Sequence, residues 1–168
     1  MMTAFVCANC ARPGKPPAEA NRTKPDIPDF GWPGRAEQVL VPCTGRLQPE
    51  HVLRAFESGS TLVAIVACSE DNCHYIEGSR RCARRVDYLR LLLKEIGLGE
   101  ERLRTFSLPG SASEDMALAA SQPAAVPDAE LEAQIAEIRE QARRALQQLP
   151  PNPLAGDLSG PIEEDSDE

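Results

Sequence analysis

LVAIVACSEDNCHY, residues 62–75, decides how the chain folds. Leu62-Val63-Ala64-Ile65-Val66 is an unbroken apolar run rich in β-branched side chains. A strand with one face in water would alternate apolar and polar residues. This one does not, so it is predicted to lie in a parallel sheet covered on both faces. Behind it stand Cys68 and, in a Cys-x4-Cys spacing, Cys73 beside His74. A metal site, a redox dithiol and a loop with two unrelated thiols all fit the segment. The placement of the other cysteines relative to the strands has to decide among them.

Working outward, Phe5-Val6-Cys7 closes a first strand, and Gln38-Val39-Leu40-Val41 forms a second that ends at Pro42-Cys43. Residues 11–36 between them hold Pro13, Pro16, Pro17, Pro25, Pro28 and Pro33. Proline fixes its own φ and lacks an amide donor, so this stretch is predicted to be a loop rather than a crossover helix. Pro49 starts a helix carrying Val52, Leu53 and Phe56, with Gly59 as its stop. Cys82, Val86, Leu89, Leu93 and Ile96 recur at helical spacing up to Gly97. Residues 103–108 supply a fourth strand and residues 113–120 a short helix. The expected fold is α/β, a small open, mostly parallel sheet of about four strands flanked by helices. A C-terminal helical extension and a disordered acidic tail are expected to follow.

The division expected is a cysteine-rich domain over 1–122, a Pro/Ala linker over 123–127, an amphipathic helix over 128–149 and a disordered tail over 150–168. Leu131, Ile135, Ile138, Ala142 and Leu146 form the apolar stripe of that helix. It is expected to dock in a groove of a partner subunit rather than fold back, and to be dispensable for the site.

The net charge of −8 belongs to the C-terminal part. Residues 1–127 are balanced, 15 acidic against 15 basic, whereas the stretch from 149 onward has 6 acidic residues and no base. A body without a basic excess argues against a nucleic-acid partner. The longest apolar run is too short to cross a bilayer and no export signal is visible, so a soluble cytoplasmic protein is expected. In a reducing compartment, paired cysteines indicate metal or redox chemistry rather than structural disulfides.

Cys7, Cys43 and Cys68 each follow a predicted strand, and Cys10 and Cys73 lie in the loops leaving the same sheet edge. Ligands of open parallel sheets bind along the carboxyl ends of the strands. Five thiols gathered there form a candidate metal or cluster site. Zinc and iron–sulfur clusters both suit soft thiolates, and the scarcity of tight Cys-x-x-Cys knuckles favours the larger inorganic core. His74 is expected to donate a hydrogen bond or cap its loop. Cys82 lies on the helical stripe and is expected to be a packed core thiol. Two alternatives remain: a thiol oxidoreductase using Cys7 and Cys10, and a zinc-stabilised interaction module. Arg46, Arg80, Arg81, Arg84 and Arg85 are placed either to tune a cluster or to dock a partner. Four cations in the first turns of a helix oppose its dipole, which calls for an acidic group nearby.

Cys7-x-x-Cys10, Pro42-Cys43-Thr44-Gly45-Arg46 and Ala67-Cys68-Ser69-Glu70-Asp71-Asn72-Cys73-His74-Tyr75 together resemble the delta subunit of methyl-viologen-reducing hydrogenase, over roughly residues 4–120. The resemblance implies a non-catalytic electron-relay protein with one [2Fe–2S] cluster. Its donor would be a hydrogenase or formate dehydrogenase, and its acceptor the flavin-containing A-type component of heterodisulfide reductase. The motif cysteines fall on Cys7, Cys10, Cys43, Cys68 and Cys73. The cluster needs four of them, and which one is spare stays open.

Overall fold

The computed structural model describes residues 1–10, 30–70, 73–109 and 128–156. The expected helix over 113–120, the linker over 123–127 and the acidic run at the end of the chain lie outside these residues.

Four strands form one sheet: β1 (Met2–Cys7), β2 (Ala36–Val41), β3 (Leu62–Cys68) and β4 (Leu103–Leu108). Their order is β2-β1-β3-β4, and every pair is parallel. β1 starts earlier than its apolar core suggests, because Met2 is buried and the Thr3 hydroxyl shares a 2.7 Å hydrogen bond with Ser60 inside the fold. β1 and β3 are the central strands, and all their residues are buried. The unbroken apolar run of β3 has this origin: both faces of the sheet are covered.

On one face, Phe5, Val63, Ile65 and Leu103 pack against the two helices α1 (Pro49–Glu57) and α2 (Gly78–Glu95). α1 begins at Pro49, where the Gln48 amide donates to His51 Nδ1 at 3.0 Å. It ends before Gly59, whose φ of +92° suits the residue that lacks a Cβ. α2 buries Cys82, Val86, Leu89 and Leu93, as its periodicity predicts, but not Ile96, which is exposed. The helix stops at Glu95 and turns through Gly97 at φ +76°, so Leu98 takes the buried place beyond the helix.

On the other face, Met2, Ala4, Val6, Leu62, Ala64, Val66, Phe106 and Leu108 pack against α3 (Asp128–Gln148) through Leu131, Ile135, Ile138, Ala142 and Ala145. This departs from the expectation that α3 docks on a partner. Among the described residues α3 is the only helix on that face, and a parallel sheet with one bare apolar face would leave that surface in water. Burying each of the larger side chains is worth roughly 1.5–3 kcal/mol, enough to outweigh a flexible connection. Arg139 Nε pins the helix by donating to the Phe30 carbonyl at 2.7 Å.

Residues 150–156, expected to belong to a disordered tail, are folded onto the body. Asn152 is buried and donates to the carbonyls of Phe56 (2.7 Å) and Ser60 (2.9 Å), and its Oδ1 accepts from the Leu154 amide. Buried Arg102 donates to the carbonyls of Leu98, Thr61 and Pro151. Among the described residues no helix is long and apolar enough to cross a membrane.

Candidate metal centre

The carboxyl edge of the sheet gathers the thiols. Cys7 and Cys68 are the last residues of β1 and β3, and Cys43 stands two residues beyond β2. The Cys7-x-x-Cys10 segment turns tightly, the Cys10 amide donating to the Cys7 carbonyl at 3.0 Å, which folds Cys10 back over the sheet. Cys43 begins a 3-10 turn, Thr44–Arg46, and its Sγ accepts from the Gly45 amide at 3.3 Å. Cys73 opens the loop leading into α2. All five are buried, and all six cysteines of the chain are free of disulfides.

Two groupings are visible. Cys7, Cys10 and Cys68 hold their sulfurs within 4.8 Å of one another, with Cys7–Cys68 at 3.7 Å and Cys10–Cys68 at 3.4 Å. Cys43 and Cys73 flank the first residue of α2: a Cβ on Gly78 would stand 2.5 Å from the Cys43 sulfur and 3.1 Å from the Cys73 sulfur. Glycine there lets the helix N-terminus approach both thiols. That role was not apparent in the sequence, although a glycine opening the Gly78-Ser79-Arg80-Arg81 segment was the available signal. Ser79 Oγ and His74 Nδ1, on either side of this loop, are buried without a hydrogen-bond partner among the described residues. The cap expected of His74 is therefore not made through Nδ1. Its ring instead packs edge-on to Tyr75 at 4.9 Å.

The electrostatics are those of crowded sulfurs. Hydrogen bonds from Cys10 and Cys68, helped by the backbone amides of Asn9 and Thr44, hold the Cys7 thiol far below its ordinary ionisation range despite burial. Cys10 is pushed far up, by its bonds to Cys68 and Cys7 and then by burial. Cys68 accepts from Cys10, yet it too goes up, because it donates to Cys7 and is buried. Burial raises Cys43 against the opposing Gly45 amide. Such a set ionises in full only around a cation.

A metal fits these donors. Two thiolates on one tetrahedral metal with metal–sulfur bonds of about 2.3 Å stand roughly 3.8 Å apart. The Cys7–Cys68 separation of 3.7 Å matches that edge. Cys82 stays outside the group, in the core between sheet and helices, where burial raises its thiol to about 11.

The arginines are largely tied down. Arg81 pairs with Glu77 at 2.8 Å and Arg80 with Glu70 at 3.5 Å, the acidic neighbours that a cation-rich helix start requires. Arg85 donates to the carbonyls of Gly45 and Leu47, clamping the turn that follows Cys43. Arg46 and Arg84 are exposed.

Residues 2–125 match the family described as methyl-viologen-reducing hydrogenase, delta subunit. The D-type iron-sulfur subunit of an F420-non-reducing hydrogenase from Archaeoglobus profundus is 37% identical over 82 residues, covering 49% of this chain and 60% of that protein. Its D-type counterpart in the F420-non-reducing hydrogenase of Methanopyrus kandleri is 36% identical over 89 residues, 53% of this chain and 67% of the relative. The A-type subunit of the ferredoxin:CoB-CoM heterodisulfide reductase from Methanosarcina mazei is 36% identical over 83 residues, 49% of this chain but only 10% of that larger protein.

Proposed function

We propose that this chain, which belongs to the methyl-viologen-reducing hydrogenase delta subunit family, is an electron-transfer subunit carrying one [2Fe–2S] cluster. Four of Cys7, Cys10, Cys43, Cys68 and Cys73 would hold it. The observation that carries this reading is the convergence of five buried thiols at one sheet edge, in a pair and a trio. A [2Fe–2S] rhomb spreads four thiolates over two irons, two on each. When bound, the cluster supplies reversible one-electron storage at a net charge of about −2 oxidised and −3 reduced.

The chain's own groups suit that charge. The amides of Gly45, Asn9 and Thr44 point at the Cys43 and Cys7 sulfurs. The N-terminus of α2, brought close by Gly78, adds the positive end of a helix dipole. Ser79 Oγ and His74 Nδ1, which lack a partner among the described residues, would find acceptors in a sulfur-rich centre. Burial keeps water from the redox group.

The alternatives have less support. A dithiol oxidoreductase needs an accessible thiolate, and Cys7 and Cys10 are each 2% exposed. A zinc module would use the trio and leave the Cys43–Cys73 pair unexplained.

For partners, the D-type subunits of hydrogenases support a hydrogenase as electron donor; formate dehydrogenase is an alternative donor that rests on the family resemblance alone. The match to a tenth of a heterodisulfide reductase A-type chain supports an A-type flavoprotein as acceptor, since a similar module occurs there joined to the larger chain. Balanced charge over residues 1–127 argues against nucleic acid.

Anaerobically purified protein tests the reading. About two irons and two labile sulfides per chain, with a brown visible spectrum and a reduced-state paramagnetic signal, are expected. Stoichiometric zinc without sulfide would overturn it.

A further inference from the structure

The pair-and-trio arrangement leaves one thiol over, and the contacts of each sulfur single it out. This rests on the [2Fe–2S] reading above. A rhomb needs two pairs of thiolates. Cys43 and Cys73, flanking Gly78, make one pair, so the other must come from Cys7, Cys10 and Cys68. All three sulfurs lie within 4.8 Å of one another, and Cys7 and Cys68 are the ends of the adjacent strands β1 and β3.

Cys7 and Cys10 sit differently. The Cys7 sulfur lies toward the neighbouring strand end, 3.9 Å from the Pro42 carbonyl and so next to Cys43, and it also accepts from the amides of Asn9 and Thr44. The Cys10 sulfur lies back over the sheet, 3.8 Å from the Val66 carbonyl, two residues before the end of β3. It also meets the sulfurs of Cys7 and Cys68. In its 3.4 Å contact with Cys68 the Cys10 sulfur is the donor. The Cys10–Cys68 distance of 3.4 Å also falls short of the roughly 3.8 Å edge of a thiolate tetrahedron.

We propose that Cys7, Cys43, Cys68 and Cys73 ligate the cluster, and that Cys10 stays outside the ligand set as a buried thiol donating a hydrogen bond to the Cys68 sulfur. Cys10 is then a positioning and tuning residue. A donor to a ligand sulfur stabilises the more negative, reduced cluster and raises its potential. The Cys-x-x-Cys of this chain is one ligand and one donor, not two ligands.

The test uses the full chain, expressed and purified without air. The wild-type protein fixes the premise: iron and sulfide in equal amounts establish the cluster, and their absence removes the premise rather than the assignment. Given a loaded wild type, Cys10→Ala is expected to keep the full iron and sulfide content and to shift the midpoint potential downward. Cys10→Ser, which restores a donor, should recover part of that shift. Cys7→Ala, Cys43→Ala, Cys68→Ala and Cys73→Ala should each lose more than half of the iron. Far-ultraviolet circular dichroism of each variant separates loss of ligand from loss of fold. Loss of iron in folded Cys10→Ala with retention in Cys7→Ala would overturn the assignment. So would an unchanged potential in both Cys10 variants.

Discussion

Gly45 and Gly78 meet backbone to backbone beside the thiols: a Cβ on Gly45 would stand 2.7 Å from the Gly78 Cα. Backbone cannot swing aside as a flexible side chain can, so the turn after Cys43 and the start of α2 are held at a separation that leaves no room for a Cβ on Gly45. The same approach puts Gly78 against the sulfurs of Cys43 and Cys73. Gly78→Ala should therefore displace one or both of these thiols. Its iron content after anaerobic purification should fall below half that of the wild type, with the denaturation midpoint also lowered, by the roughly 1–3 kcal/mol typical of overpacking. An unchanged iron content would show that the helix start is not part of the cradle.

Cys82 gives a prediction in pH. Its thiol is raised from 9.0 to about 11, chiefly by burial, so the unfolded chain gives up this proton first as pH rises. Where the native state holds more protons than the unfolded one, stability falls with pH. The contribution is full below pH 9.0 and is lost as pH climbs through about 11. Cys82→Ala should cost on the order of 1 kcal/mol at neutral pH. It should also flatten the decline in urea midpoint over that alkaline window relative to wild type, the other thiols titrating equally in both. Its visible spectrum should be unchanged, because Cys82 packs with Val86, Leu89 and Leu93 rather than with the thiol group.

Much of this was legible from residues. The unbroken run at Leu62–Val66 pointed to an inner strand, which is β3, Leu62–Cys68. Once that strand and its neighbours were placed, Cys7, Cys43 and Cys68 had to share an edge. The stripe of α2 was visible from Cys82 to Leu93 but misled at Ile96, where a C-terminal turn takes over from helical periodicity. Periodicity also identified the apolar stripe of α3, but an amphipathic stripe does not name the surface that covers it. The uncovered face of the sheet decides that, and a sheet face exists only in three dimensions. Asn152 looked like tail for the same reason: its worth lies in the Phe56 and Ser60 carbonyls, far away in sequence. The approach of Gly45 to Gly78 left no pattern beyond two glycines.

Ile76 is a β-branched residue at φ +59°, in the left-handed region, and is 60% exposed beside exposed Tyr75. Backbone in such a region costs of order 1–3 kcal/mol for a non-glycine residue. Ile76→Gly relieves it, partly offset by the greater freedom of glycine in the unfolded chain, for a net gain of about 1 kcal/mol. Under the proposed electron-transfer role, strained Ile76 and exposed Tyr75 offer an apolar contact for the redox partner beside Cys73. Ile76→Gly should then raise the urea midpoint, leave the cluster potential unchanged and slow electron transfer to an A-type flavoprotein. A variant that is more stable and equally fast would leave the exposed pair without a role in docking.

The last prediction concerns the C-terminal part. α3 closes the sheet face formed by Val6, Val66 and Phe106, in the same packed group as Cys7, Cys10, Cys68 and Cys73. The segment after it is anchored by Asn152 to the last turn of α1 and to Ser60 in the loop before β3. Truncation at residue 127 should therefore expose the apolar face, cause aggregation and lose the cluster, rather than merely weaken assembly. Asn152→Ala is the milder probe. It removes the Asn152 donor from the Ser60 and Phe56 carbonyls, of which Phe56 still accepts from the Gly59 amide at 2.9 Å; the loss costs roughly 1–3 kcal/mol, and α3 should become more susceptible to proteolysis. Asn152→Asp keeps an acceptor for the Leu154 amide but supplies no donor, so it should be no better than the alanine variant. Limited proteolysis and urea titration of the three proteins check this directly. A truncated chain that unfolds at the wild-type midpoint and keeps its iron would mean that α3 covers the sheet without supporting it.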